Sequence, residues 1–128
     1  MTAFSDYLEN ELLDGTLRNL TYTPVATVYV GLHTSAPNDD DTGAEVATGS
    51  YARISSAFDA PAAGSSSNTA TITFPTATAS WGTVTHFGIY DAAAAGNLLY
   101  WGALTVSKTV DNGDIFTFPA GNLTVSLD

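Results

Sequence analysis

Apolar residues along this chain alternate far more often than they recur at helical spacing. In residues 27–33, TVYVGLH, Val28, Val30 and Leu32 fall on one face and Thr27, Tyr29, Gly31 and His33 on the other, which predicts a strand with the first set inward. Residues 51–58, YARISSAF, predict a second strand with Tyr51 and Arg53 opposite Ala52 and Ile54, and a bulge near Ser55 or Ser56 before Phe58. Residues 70–74 predict a third, with Ile72 and Phe74 inward and Pro75 closing it. The densest apolar run is 81–104. There Val84, Phe87, Ile89 and Tyr90 precede a small-residue turn, DAAAAGN, and Leu98, Leu99, Tyr100, Trp101 and Leu104 follow it. Neither half alternates cleanly. That predicts a hairpin buried on both faces, or buried on one face with the other used as an interface. On this reading Trp101 is a core residue whose truncation costs several kcal/mol. Asn112-Gly113 between 105–110 and 114–118 signals a further hairpin. Residues 122–127 predict a last strand with Leu123, Val125 and Leu127 inward, whereas 59–69, DAPAAGSSSNT, has flexible-loop composition.

One segment breaks the pattern. Phe4, Leu8 and Leu12 recur at four-residue steps and Leu13, Leu17 and Leu20 continue the stripe, predicting a helix over 3–19 capped by Thr2 or Ser5. Asp6 and Glu9 lie early and Arg18 late, as the helix dipole favours, while Gly15 weakens the middle. With no helices between strands, a parallel α/β arrangement is excluded. The expected fold is mainly β: an antiparallel β-sandwich of about seven or eight strands with one N-terminal α-helix. Residues 1–21 form the helical segment and 22–128 the sandwich domain. A lone helix must dock on its own sheet, on a symmetry mate or on another protein.

Charge narrows the function. Three Lys and Arg stand against 13 Asp and Glu, a formal charge of −10. Arg18, Arg53 and Lys108 are too scattered to build the basic patch that nucleic acid or an anionic membrane needs. Charged residues are only 12 % of the chain, so contact with another protein requires little desolvation. The N-terminus shows neither a basic region nor an apolar stretch of the targeting kind, which points to synthesis and retention in the cytoplasm or export only within an assembly.

Catalytic chemistry is hard to find. The chain has no Cys, no phosphate loop and no nucleophile elbow. Asp59, Asp91, Asp111 and Asp114 all sit at turns, where Asp serves backbone hydrogen bonding. The long polar loop 35–50 carries Asp39, Asp40, Asp41 and Glu45, but without the glycine and distal Glu placement of a calcium loop. No enzyme activity, cofactor or metal is expected. His86, among Val84, Phe87 and Ile89, is expected to be hydrogen-bonded at a sheet edge or interface. Trp81, Tyr90, Tyr100 or Trp101 beside Asn97 and Asp91 are alternative sugar-stacking candidates.

Four stretches carry a resemblance: FSDYLENELLDGTLRNLTYTPVATVYVGLHTSAP, GSYARISSAF, ITFPTATASWGTVTHFGIYDA and GNLLYWGALTVSKTVDNGDIFTFPAGNLTV. Together they resemble a family of small proteins from the structural modules of tailed double-stranded DNA bacteriophages, often labelled tail fibre-like, and are similar to capsid cement (decoration) proteins. The resemblance implies a virion structural protein. One expectation is a cement protein on the head surface that binds the major capsid protein and self-associates, as a homotrimer. Phe4, Tyr7 and Leu8, the loop acids Asp39, Asp40, Asp41 and Glu45, and Trp81 and His86 would then make the interface. The alternative is a tail fibre, tail-tip or baseplate component that contacts a carbohydrate receptor.

Overall fold

A computed structural model describes residues 2–127. The chain forms β1 (Thr2–Phe4), α1 (Asp6–Leu17), β2 (Val28–His33), β3 (Ile54–Ser56), β4 (Ser65–Ser67), β5 (Ile72–Thr73), β6 (Gly82–Tyr90), β7 (Leu98–Val110), β8 (Thr117–Phe118) and β9 (Thr124–Ser126). Five strands make the principal antiparallel sheet in the order β1-β7-β6-β2-β3, and β4-β9 and β5-β8 form two small ribbons. The fold is thus a mainly β, sandwich-like antiparallel arrangement with one α-helix.

The expected inward set of β2 is inward. Val30 pairs with Ile54 and Ile89, and Ile89 with Tyr100, so these residues form one row across the sheet. Leu32 pairs with Phe87 in the next row. This face meets an aromatic cluster from the ribbons: Phe118 lies 5.1 Å from Phe116, 6.3 Å from Phe74 and 6.4 Å from Phe87. Such tilted ring pairs give a small β core most of its contact area. Asn68 ties the ribbons together, donating to Ala70 O at 2.8 Å and Pro119 O at 3.1 Å and accepting from Leu123 N at 2.9 Å.

The second face of the sheet is buried in part, over His33 and Tyr90, and stays half-open around His86 and Trp101, between the two alternatives that the apolar runs of 81–104 allow. His33 and Tyr90 are almost fully buried there. The loop 35–50 covers this face, and glycine is what lets it approach. A Cβ on Gly31 would fall 2.6 Å from Glu45 Oε2 and 3.0 Å from Tyr51 Oη.

Several local expectations are corrected. Residues 2–4 extend the sheet instead of starting the helix. Thr2 pairs with Gly102 and Phe4 with Tyr100, and Ser5 begins the helix by accepting from Leu8 N through Oγ at 3.2 Å. The serines of the Gly-Ser-Ser-Ser run form a strand, β4, because Ser65 to Ser67 pair with β9, while Gly64 stays in the turn before it. Asn112-Gly113 turns the chain, with Asp114 N donating to Asp111 O at 3.0 Å, but closes no hairpin. Residues 117–118 pair with β5 instead, since Phe118 is drawn into the core beside Ile72. Trp101 is not a core residue: it sits half-buried on the loop-covered face, between Gly88 and Ala3 in register.

Candidate interaction surface

The loop 35–50 is anchored by a charged cluster. Arg53 donates from Nε to Glu45 Oε2 and from Nη2 to Glu45 Oε1, each at 2.8 Å. Its Nη1 also reaches Ala92 O at 3.0 Å and Ala95 O at 2.8 Å, so one guanidinium fastens two loops. The guanidinium carbon lies 3.5 Å from the Tyr90 ring centroid, a cation–π contact. Tyr51 Oη donates to Glu45 Oε2 at 2.7 Å and accepts from Leu32 N at 2.9 Å. Burial alone pushes the Glu45 carboxyl up, but the Arg53 and Tyr51 hydrogen bonds outweigh it and hold the group below its usual value.

A second chain of bonds runs beside the first. Tyr90 Oη donates to Asp41 Oδ1 at 2.7 Å, so the buried His33 must donate from Nε2 to Tyr90 Oη, 2.9 Å away. His33 Nδ1 is then a bare acceptor without a partner among the described residues. Burial lowers the His33 pKa to about 4, with Glu45 and Asp41 pulling the other way. A third contact joins the loop to Trp101, whose Nε1 donates to Asp39 Oδ1 at 2.8 Å. Asp39 O accepts from Asp6 N at 2.9 Å, which fixes the loop to the start of α1.

The nine residues expected at an interface therefore divide. Trp81 is 4 % exposed, donates from Nε1 to Gly49 O at 3.0 Å and meets Tyr51 edge-on, so it is a core side chain. Leu8 is buried where α1 meets β7, and Phe4 is half-buried 5.5 Å from Tyr100. Asp41 and Glu45 hold the loop down, and Asp40 accepts from Thr42 Oγ1 at 2.7 Å. Tyr7, Asp39, Asp40, Asp41 and half-exposed His86 remain at the surface, with His86 6.0 Å from the Trp101 ring. Arg53, His33 and Tyr90 were not singled out as partners of this loop. The signal that would have found them is the glycine pair Gly31 and Gly88 on paired strands, which marks close approach by another layer.

Exposed apolar residues cluster on the helix and just past its end, with Val106 and Ile115 exposed elsewhere. Leu8 is the only fully buried residue of α1, whereas Leu13 and Leu17 on the helix and Leu20, three residues past its end, are 54 %, 77 % and 47 % exposed. An apolar groove of about 610 Å³ opens at one end of the sandwich, lined by residues such as Val28, Phe58, Ile89, Tyr100 and Val125. Among the described residues no group of three or more His, Asp or Glu comes together as a metal site, and no helix is long and apolar enough to cross a membrane.

The buried polar groups thus serve the fold, His33 and Tyr90 by pinning the loop and Asn68 by tying the ribbons, while apolar surface stays exposed on the helix and in the groove. The chain belongs to the Gp80 family, described as podophage GP4 fiber I protein gp80, whose model it matches over residues 3–126. It is accordingly a bacteriophage structural protein of the virion. No curated protein matches the chain.

Proposed function

We propose that this protein is a subunit of a phage tail fibre, mounted on another virion protein through the outward face of α1. The observation that carries the reading is the exposed Leu13 and Leu17 on α1, continued by Leu20 just past it, which the chain's own sheet leaves uncovered. The family description as a fibre protein supports the same choice. The single described helix is 12 residues long, too short for a coiled-coil shaft, so reach must come from association of copies or from the protein that carries them. Self-association, for which a homotrimer is the sequence-based expectation, would multiply weak contacts through effective concentration.

A head-surface cement role is the second reading. Its support is the acidic, charge-poor surface, suited to close packing on the major capsid protein. Quantitative mass spectrometry of purified virions separates the two by copy number. A number in proportion to the tail supports the fibre subunit. A number comparable to that of the major capsid protein supports cement and removes the fibre reading.

A further inference from the structure

We propose that Trp101, Asp39 and His86 form a shallow platform that binds a pyranose carrying no negative charge. The inference rests on the fibre reading only in placing the platform where an external glycan can reach it.

Trp101 stands half-buried on the loop-covered face, with open space on its Ala103 side. Its in-register neighbours are Gly88 and Ala3; Tyr90, His33 and Leu98 fill the space over Gly88, and the room lies on the His86 side, where the residue opposite His86 is the exposed Ala103. The ring is also held in place. Asp39 Oδ1 takes the indole N–H at 2.8 Å, and Asp39 is itself fixed through its carbonyl to Asp6 N at 2.9 Å. An aromatic ring orientated by a strand and a backbone-anchored carboxylate needs little further ordering when a ligand stacks on it.

Polar groups converge on the same spot. Asp39 uses Oδ1 on the indole, and among the described residues Oδ2 has no hydrogen-bond partner. His86 engages Thr85 Oγ1 through Nδ1 at 2.8 Å, which leaves Nε2 of the half-exposed ring for a ligand. The His86 and Trp101 rings are 6.0 Å apart and tilted by 44°, so they form two sides of a shallow corner. A pyranose matches this set. Its axial C–H face packs on an indole, its hydroxyls donate to a carboxylate, and its ring or hydroxyl oxygens accept from an imidazole N–H.

Charge selects among sugars. Asp39 and the neighbouring Asp40 are both exposed, on a chain of net charge −10. A uronate or phosphorylated sugar would be repelled, whereas a neutral or amino sugar would not.

The test is an NMR titration of the intact chain, watching its two indole N–H signals. The probes are chitotriose as the neutral sugar, its fully deacetylated form as the amino sugar, and trigalacturonate as the anionic control. Saturable movement of the Trp101 signal with chitotriose or its deacetylated form is expected, while the Trp81 signal stays still and trigalacturonate has no effect. Trp101→Ala should weaken binding at least about tenfold, with affinity then read from backbone amide shifts near Asp39 and an unchanged Trp81 signal reporting an intact core. Trp101→Tyr should restore part of it. The proposal is overturned if neither sugar moves the Trp101 signal at millimolar concentration, if Trp101→Ala binds as well as the parent, or if trigalacturonate binds equally. Such a failure leaves the fibre reading in place, because that reading is judged by position in the virion.

Discussion

Arg53 grips Glu45 at two points, Nε to Oε2 and Nη2 to Oε1, both at 2.8 Å, and the Arg53 side chain is only 7 % exposed. The pair brings the acidic loop down onto a face of the sheet that alternation alone would leave to solvent. Removing one partner of a buried pair strands the other. Arg53→Ala should therefore destabilise the fold by about 2–4 kcal/mol, somewhat under the cost for a fully buried pair because the Glu45 side chain keeps 24 % of its exposure. Urea unfolding measures this. A change below about 0.5 kcal/mol would mean that the loop holds without the pair.

Gly31→Ala tests the same layer from beneath. Its Cβ would meet Glu45 Oε2 at 2.6 Å, and that oxygen is held by both Tyr51 and Arg53 and cannot simply swing away. A loss of about 1–3 kcal/mol and faster proteolysis within 35–50 are expected. Parental stability and parental cleavage rate would show that the loop yields freely.

His33 makes stability depend on pH in a defined window. Its folded pKa of about 4 lies below the ordinary imidazole value of 6.5. Between these values the unfolded chain binds the extra proton, so stability falls as pH drops from 6.5 to 4 and this contribution is flat below 4. The physical cause is a buried ring whose second N–H would have no acceptor among the described residues. The full loss is roughly 3 kcal/mol. His86, also lowered by burial, acts in the same direction, so the comparison must be with His33→Gln. Urea melts of that variant should show a clearly flatter pH slope than the parent. Equal slopes would place the titration elsewhere.

The two tryptophans should behave oppositely. Trp81→Ala empties a core position and should cost about 3–5 kcal/mol, whereas Trp101→Ala should cost about 1 kcal/mol or less, a surface effect. Thermal melts separate them. Equal large losses would return Trp101 to the core.

That reversal shows what could be read from residue order. The strand of 28–33 and the apolar hairpin of 81–104 were legible because side-chain period and apolar density are local properties. Trp101 was misplaced because its run is uniformly apolar. Nothing local says which face of a doubly buried strand meets the core and which meets a polar loop. The Ser65 to Ser67 strand was hidden for a related reason. Its pairing with Thr124 to Ser126 depends on residues more than fifty positions away, and its hydroxyl ladder, Ser67 Oγ to Thr124 Oγ1 at 2.9 Å, leaves no apolar signal. The site residues Arg53, Tyr90 and His33 come from three separate strand regions, and only the fold brings them to one loop.

Leu13 and Leu17 should matter for assembly and hardly at all for folding. Replacing both with Ser should leave unfolding free energy within about 0.5 kcal/mol of the parent, since both are more than half exposed. Phage carrying the double variant should contain far less of the protein after purification. Undiminished incorporation would show that α1 is not the mounting face.

The most direct test of the central reading is immunogold electron microscopy of intact virions with antibody to this chain. Gold clustered at the tail, with the rest of the head bare, is the expected result. Gold distributed over the whole head shell would contradict the fibre assignment and establish the protein as a coat of the capsid.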